Sequence, residues 1–295
     1  MKPKHIFAAV LLAVIWGLNF PVMKMGLHTM SPLVFSALRS VCVWPLLFFI
    51  PRPPSWKMIG MLGLFIGTFQ LPLILLAIYW GLPAGLVALL GQMQVFFTLV
   101  LGIIWLKEWP NWQNWVSMII AFMGIGLIAF QVETNTFSTY GLSAVLLVAI
   151  FCAISNIAMR SAHQLNMVHL ILWMNIIPPI PLLGLSWVVE GKDVFVNSFT
   201  HISLETTITL LYSSFISGVV GYSIWGFLLK KYPPAKVLHF ALLIPVTSML
   251  FGFLFLNEVP TRLILLGAVF VLSGLALNQF NLKKKVLEVQ TITEE

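Results

Sequence analysis

Four basic side chains lie within or near the ends of long apolar runs: Lys24, Arg39, Arg160 and His239. Arg39 is the deepest guanidinium, about eight residues in from the end of its run, roughly 12 Å at 1.5 Å per residue. A lone guanidinium at that depth costs at least ~2.5 kcal/mol in hydrocarbon, so it must face protein or water. Two roles suit it. It can grip a substrate carboxylate through its planar fork, with Lys24 adding attraction. Alternatively, it can bond carbonyls freed by a broken helix, or snorkel toward Glu205 or Glu258. His239 lies about one turn inside its run. It suits either a structural hydrogen bond or proton coupling, because an imidazole titrates near pH 6.5.

No Asp or Glu falls deep in any apolar run. An ion-coupled carrier commonly sets a carboxylate near the membrane midplane. The pathway expected here is therefore neutral to cationic, which suits a substrate bearing its own carboxylate. Neutral polar groups would shape the rest of a cavity. Trp16, Asn19 and Met23 share one helical stripe, and Asn19 must face protein because hydrocarbon would leave its amide unpaired. Gln94 shares a stripe with Thr98 and is expected in the cavity, while Gln92, nearly opposite, suits helix contact. Tyr222 shares a face with Trp225, and Asn156 shares one with Arg160.

The elements that carry these residues follow from hydropathy. Apolar residues make up 60% of the 295 positions and charged residues 8%, with a mean hydropathy of +1.00. That balance is far from a soluble domain and makes lipid the solvent. Only helices or a closed barrel satisfy the backbone there, and runs of about 20 residues without two-residue alternation select helices. Ten spans are expected, at about 5–26, 31–50, 56–80, 83–106, 112–130, 139–160, 167–189, 206–231, 234–256 and 261–281. The fold class is thus an all-α membrane protein. The net charge of +7 comes from residues at helix ends, with no basic patch interleaved with aromatics, so nucleic-acid binding is not expected. Cys42 and Cys152 both sit inside spans and imply neither a disulfide nor a metal site. No cofactor is called for.

With the N-terminus in the cytoplasm, twelve of the 16 Lys and Arg residues fall on the inner side; the exceptions are Lys24, Arg39, Lys192 and Arg262. The positive-inside rule then places both termini in the cytoplasm of a bacterial inner-membrane protein.

An internal repeat supports the count. Shifted by 150 positions, residues 83–130 lie on 233–280 without a gap, matching Pro83 to Pro233, Glu108 to Glu258 and Gly124 to Gly274. Ala9–Leu12 recurs more weakly as Ala144–Leu147. Residues 1–135 form one five-helix repeat, 136–282 a second that enters from the opposite side, and 283–295 a polar tail. Inverted repeats suit alternating access around a midplane site. Such motion needs helices that bend, and proline removes a backbone donor and clashes one turn back. Pro45, the cluster Pro178, Pro179 and Pro181, and Pro245 are the hinge candidates. Gly60, Gly63, Gly67, Gly218 and Gly221 suit close helix packing.

The stretch Trp16-Gly17-Leu18-Asn19-Phe20, followed by Lys24 and Gly26, resembles the opening helix of EamA-type members of the drug/metabolite transporter superfamily. The likeness continues through Leu38-Arg39, Pro83-Ala84-Gly85-Leu86, Gln92-x-Gln94-x-Phe96-Phe97, Glu108, Gly221-Tyr222-x-Ile224-Trp225-Gly226 and Glu258. It implies a ten-helix exporter of amino acids or related metabolites, O-acetylserine and cysteine among them, working as a monomer or homodimer in the bilayer. One departure is that Trp109 and Val259 follow the two glutamates where the family usually has Arg or Pro. The 11 Trp and 23 Phe leave efflux of bulkier aromatic or cationic compounds as an alternative. A membrane enzyme acting on lipid-linked substrates would need converging acid–base or metal-binding groups, and the spans contain no HExxH, aspartate pair or Ser/His/Asp set.

Overall fold

A computed structural model describes residues 1–53, 55–106, 111–131, 139–161, 165–232 and 240–293. The described residues are helical throughout, with no strand. Six helices are long and apolar enough to cross a bilayer: α1 (Pro3–Gly26), α3 (Trp56–Tyr79), α4 (Ala84–Ile104), α5 (Trp112–Phe130), α6 (Thr139–Met159) and α10 (Leu204–Leu228). A bent pair, α7 (Val168–Ile176) and α8 (Pro179–Glu190), meets at 40° and makes a seventh if taken as one span. Shorter apolar helices are α2 (Pro32–Leu47), α11 (Leu243–Leu256) and α12 (Arg262–Leu277), and α9 (Lys192–Thr200) joins α8 to α10.

The chain is thus a multi-pass membrane protein. Against the ten expected spans, six or seven reach full length. The shortness of α2 has a local cause. The helix of α2 gives way at Cys42 and Val43, ahead of a last turn at Trp44–Leu47 that opens on Pro45. Residues 233–239, ahead of α11, lie outside the described set, and the side chains beyond Leu277 do too.

Lipid offers no hydrophobic force to drive helices together, so packing relies on close backbone approach. α5 and α12 make the tightest pair. A methyl group on Gly124 would sit 2.5 Å from the Gly267 carbonyl oxygen, and one on Gly267 would sit 2.8 Å from that of Gly124. Gly63 and Gly67, on α3, abut Ile177 and Pro178 at the α7–α8 break, whereas Gly60 touches nothing comparable. α1 lies against α4, α10 and α11, while α2 is held by α3 and α8. Large apolar side chains such as Phe48, Phe49 and Ile180 face outward, as a lipid-facing surface requires.

Helix ends are capped where the sequence offers a short polar residue. The Ser31 hydroxyl accepts from Val34 N–H at the start of α2, and that of Ser203 accepts from Thr206 N–H before α10. Asn257 ends α11 in the left-handed conformation (φ 54°), and Glu258 N–H then bonds the Gly252 carbonyl at 3.1 Å. That turn aims the Glu258 side chain back at the bundle.

Candidate functional site

Three helices of the bundle widen into π-helical turns, Gly63–Gln70 in α3, Ser186–Glu190 in α8 and Tyr212–Gly221 in α10. Helices also break, α2 at Cys42–Val43, α4 at Gln92–Met93 and α7–α8 at Ile177–Pro178. Val43 at the α2 break, Ile66 and Ser214 in two of the π-helical stretches, and Met174 and Asn175 just ahead of Ile177 border one narrow recess of about 20 Å3. Its polar side is Arg39, Asn175, Ser214 and Tyr222, and Val43, Ile66, Leu71 and Met174 contribute to its apolar wall. The breaks of α2 and α7–α8 are tied to each other. Trp44 Nε1 donates to the Asn175 carbonyl at 3.0 Å, and Trp173 Nε1 donates to the Ile50 carbonyl at 3.2 Å. Indole donors thus occupy carbonyls beside the irregular backbone, which would otherwise be orphaned.

Arg39 is buried, at 7% exposure. Its Nε donates to the Ser213 carbonyl at 3.1 Å and to the Ser213 hydroxyl at 3.0 Å, both in the π-helical stretch of α10. The terminal guanidinium nitrogens have no hydrogen-bond partner among the described residues, and no carboxylate lies within ion-pair distance. One edge of the fork is therefore anchored and the other is uncommitted. Glu205 and Glu258 are engaged elsewhere, by His28 and Lys24.

Asn175 lines the same recess. Its Nδ2 donates to the Ile171 and Leu172 carbonyls at 2.8 and 3.2 Å, which fixes the amide orientation and leaves Oδ1 as the free end. Tyr222 packs edge-on against Trp16, with ring centroids 5.3 Å apart. Trp16 in turn donates from Nε1 to the Ser217 carbonyl at 3.1 Å. Among the described residues no cluster of three His, Cys, Asp or Glu side chains could hold a metal.

The other expected site residues among those described are not in the lining of this recess. Lys24 Nζ is 2.6 Å from Glu258 Oε1, and Glu258 Oε2 also accepts from Ala84 N–H at 2.9 Å, at the start of α4. Its charge is therefore matched by a carboxylate. Gln94, Thr98 and Asn156 form a separate polar cluster between α4 and α6, in which Asn156 Nδ2 donates to Gln94 Oε1 at 3.2 Å and to Thr98 Oγ1 at 3.3 Å. Trp225 lines a smaller apolar recess with Leu12, Trp16 and Leu228. Asn19 is buried, and its Oδ1 is the buried side-chain polar atom left without a partner among the described residues. His239, Lys107 and Glu108 lie outside the described residues, as does the Arg160 side chain. Of the hinge candidates, Pro178 and Pro179 stand at the α7–α8 break with Pro181 in the first turn beyond it, Pro45 follows the α2 break, and Pro245 sits in the first turn of α11.

The model of the EamA-like transporter family matches residues 3–130 and again 139–280, which together cover most of the chain. The chain belongs to that family. Among curated relatives of this EamA-like transporter, a chain of Escherichia coli (strain K12) named "Probable amino-acid metabolite efflux pump" is 35% identical, covering 98% of this chain and 99% of its own. A chain of the same name from Salmonella typhimurium is also 35% identical, over 96% and 97%. A "Probable terminal-alkyne amino-acid exporter" of Streptantibioticus cattleyicolor is 23% identical, over 93% of each chain. A solved crystal structure superposes with a TM-score of 0.65 over 96% of this chain and 99% of its own; at 11% identity it speaks for the fold alone.

Reading the EamA-like transporter from sequence passed over Asn175 and the Ser213–Ser214 pair. Asn175 is the one side-chain amide in the run 167–189, three residues ahead of Pro178. A lone amide beside a proline break was the available signal, since freed carbonyls there need donors. The serines gave none, because a hydroxyl in a membrane helix is normally absorbed by the carbonyl one turn back, as Ser214 does with Leu210.

Proposed function

We propose that this EamA-like transporter exports small amino acids or amino-acid metabolites across the bacterial inner membrane by alternating access, with Arg39 receiving the carboxylate. The observation that carries this reading is the half-used guanidinium. It is buried, anchored through Nε to Ser213, open at its terminal nitrogens and unopposed by any carboxylate among the described residues. Holding such a charge uncompensated is costly, and a bound anion relieves the cost. The names of the relatives agree in chemistry, each referring to an amino acid or its metabolite.

The architecture in this proposal is ten spans in two inverted repeats, 1–135 and 136–282, with both termini cytoplasmic. The double family match supports the division. So do the irregularities. Two of the three π-helical stretches begin at Gly63 and Tyr212, close to the 150-residue offset of the later repeat, while the third, Ser186–Glu190, has no counterpart there. The breaks at Cys42 and Ile177 are 135 apart, the offset that relates Ala9 to Ala144. Paired weak points around one recess are what a rocking two-repeat carrier needs. An unopposed arginine disfavours cationic cargo, which sets bulkier cationic efflux behind amino-acid export.

The test is counterflow in proteoliposomes. Vesicles are loaded with unlabelled cysteine, serine, threonine or O-acetylserine, and entry of the labelled partner is followed. Exchange that depends on the loaded amino acid is the expected result. A panel in which none exchanges, while aromatic metabolites do, overturns the cargo.

A further inference from the structure

The recess holds an acceptor as well as a donor, and nothing in the carboxylate reading uses it. Both amide N–H groups of Asn175 are committed to the Ile171 and Leu172 carbonyls, so Oδ1 is presented without a donor. The residue is only 8% exposed and lines the same recess as Arg39. The oxygen is not sealed, since Asn19 Oδ1 alone among the described residues is buried without a partner, and an accessible acceptor that the protein leaves without a donor can take one from a ligand. Its placement is fixed from two sides. Its side chain is bound to its own helix, and its carbonyl is held by Trp44, five residues beyond Arg39 along α2.

We infer that the recess recognises the whole zwitterion, with Asn175 Oδ1 as the acceptor for the substrate ammonium while Arg39 takes the carboxylate. The inference rests on the carboxylate reading above and extends it to substrate class: free α-amino acids rather than N-acylated or amine-free carboxylates. The remaining wall, which includes Val43, Ile66 and Met174, is apolar and suits a small uncharged side chain. A neutral acceptor is the fitting choice. A carboxylate in place of Asn175 would share the recess with Arg39 and neutralise it when no substrate is bound.

The experiment is competition in counterflow, with labelled L-serine and L-cysteine as probes in proteoliposomes. Amine-free 3-hydroxypropionate and 3-mercaptopropionate and the N-acetyl amino acids are the competitors. In the wild-type protein each free amino acid is expected to compete at least about tenfold better than its amine-free or acylated counterpart, the worth of one hydrogen bond to a charged group. Asn175→Leu should narrow that ratio to within about threefold while Arg39→Gln lowers exchange of every carboxylate together. Asn175→Leu also removes two hydrogen bonds within α7 and its folding can suffer, so the wild-type competition decides independently. Equal competition by 3-hydroxypropionate and serine, with exchange still lost in Arg39→Gln, overturns the ammonium site and leaves the carboxylate clamp standing. Undiminished exchange in Arg39→Gln, or no exchange of either probe, removes both.

Discussion

Lys24 and Arg39 are carried by successive helices, yet the structure uses the two cations in opposite ways. Lys24 ends α1 beside a carboxylate and forms a 2.6 Å ion pair, one-third exposed on the lysine side and 13% on the glutamate side. Glu258 is itself oriented by the left-handed Asn257 and shared with the Ala84 amide, so the pair ties α1, α4 and the α11–α12 turn together. Arg39 is buried more deeply and meets only a serine. A matched charge fastens the bundle, whereas an unmatched one is available to a ligand. What separates the two roles is the partner and not the residue type, and sequence displays residue types alone.

The largest effect should come from the unmatched charge. Arg39→Gln is expected to cut counterflow of amino acids by about a hundredfold, corresponding to two charge-assisted hydrogen bonds. Arg39→Lys should recover only part of this, since a point charge cannot replace the fork. Initial rates at saturating internal substrate provide the measurement, and wild-type rates in Arg39→Gln would collapse the contrast.

Lys24→Met should act on stability instead, lowering the unfolding free energy in detergent by about 1–2 kcal/mol, between the values for exposed and buried pairs. Glu258→Gln in the same background should add little, so a double-mutant cycle exposes the coupling. Substrate selectivity should not change; a shift in the competition series would mean that Lys24 also touches cargo. Asn156→Val is expected to cost about 1 kcal/mol, at roughly 0.6 per hydrogen bond inside a membrane protein. The smallest change should be Trp44→Phe, which removes one indole donor from the Asn175 carbonyl and costs about 0.5–1 kcal/mol. Its transport defect should resemble a mild Asn175 defect rather than a mild Arg39 one.

How much could be read in advance follows the same division. Six spans, or seven with the bent pair, were legible because bilayer thickness imposes long apolar runs, and the burial of Arg39 because a deep guanidinium stands out against them. The Lys24–Glu258 pair was not, since its partners are 234 positions apart and Glu258 read as an outer-side acid toward which Arg39 could snorkel. Gln94 and Asn156 both read as cavity groups, but they are placed against each other, and a stripe on a helix cannot say which neighbour it meets. The π-helical turns escaped because widening a helix leaves no periodicity to detect. Glycines mark two of the three stretches, yet Gly60, just outside one of them, looks no different in sequence and contacts nothing. Asn19 shows the same limit from the other side: its burial was legible, but its unpartnered oxygen was not.

The backbone contact between α5 and α12 has a use in studying the transporter at work. Gly124 and Gly267 leave no room for even a methyl group between their helices, and Gly274 meets the Ser117 carbonyl in the same manner. Helices locked at that separation cannot slide without colliding, so they should travel as one strut. Spin labels or fluorophores on the outward faces of Trp112–Phe130 and Arg262–Leu277 would give a built-in ruler of constant length. Against it, distances to the ends of α2, α7 and α10 become interpretable as relative displacement, because one end of each measurement belongs to a single rigid unit.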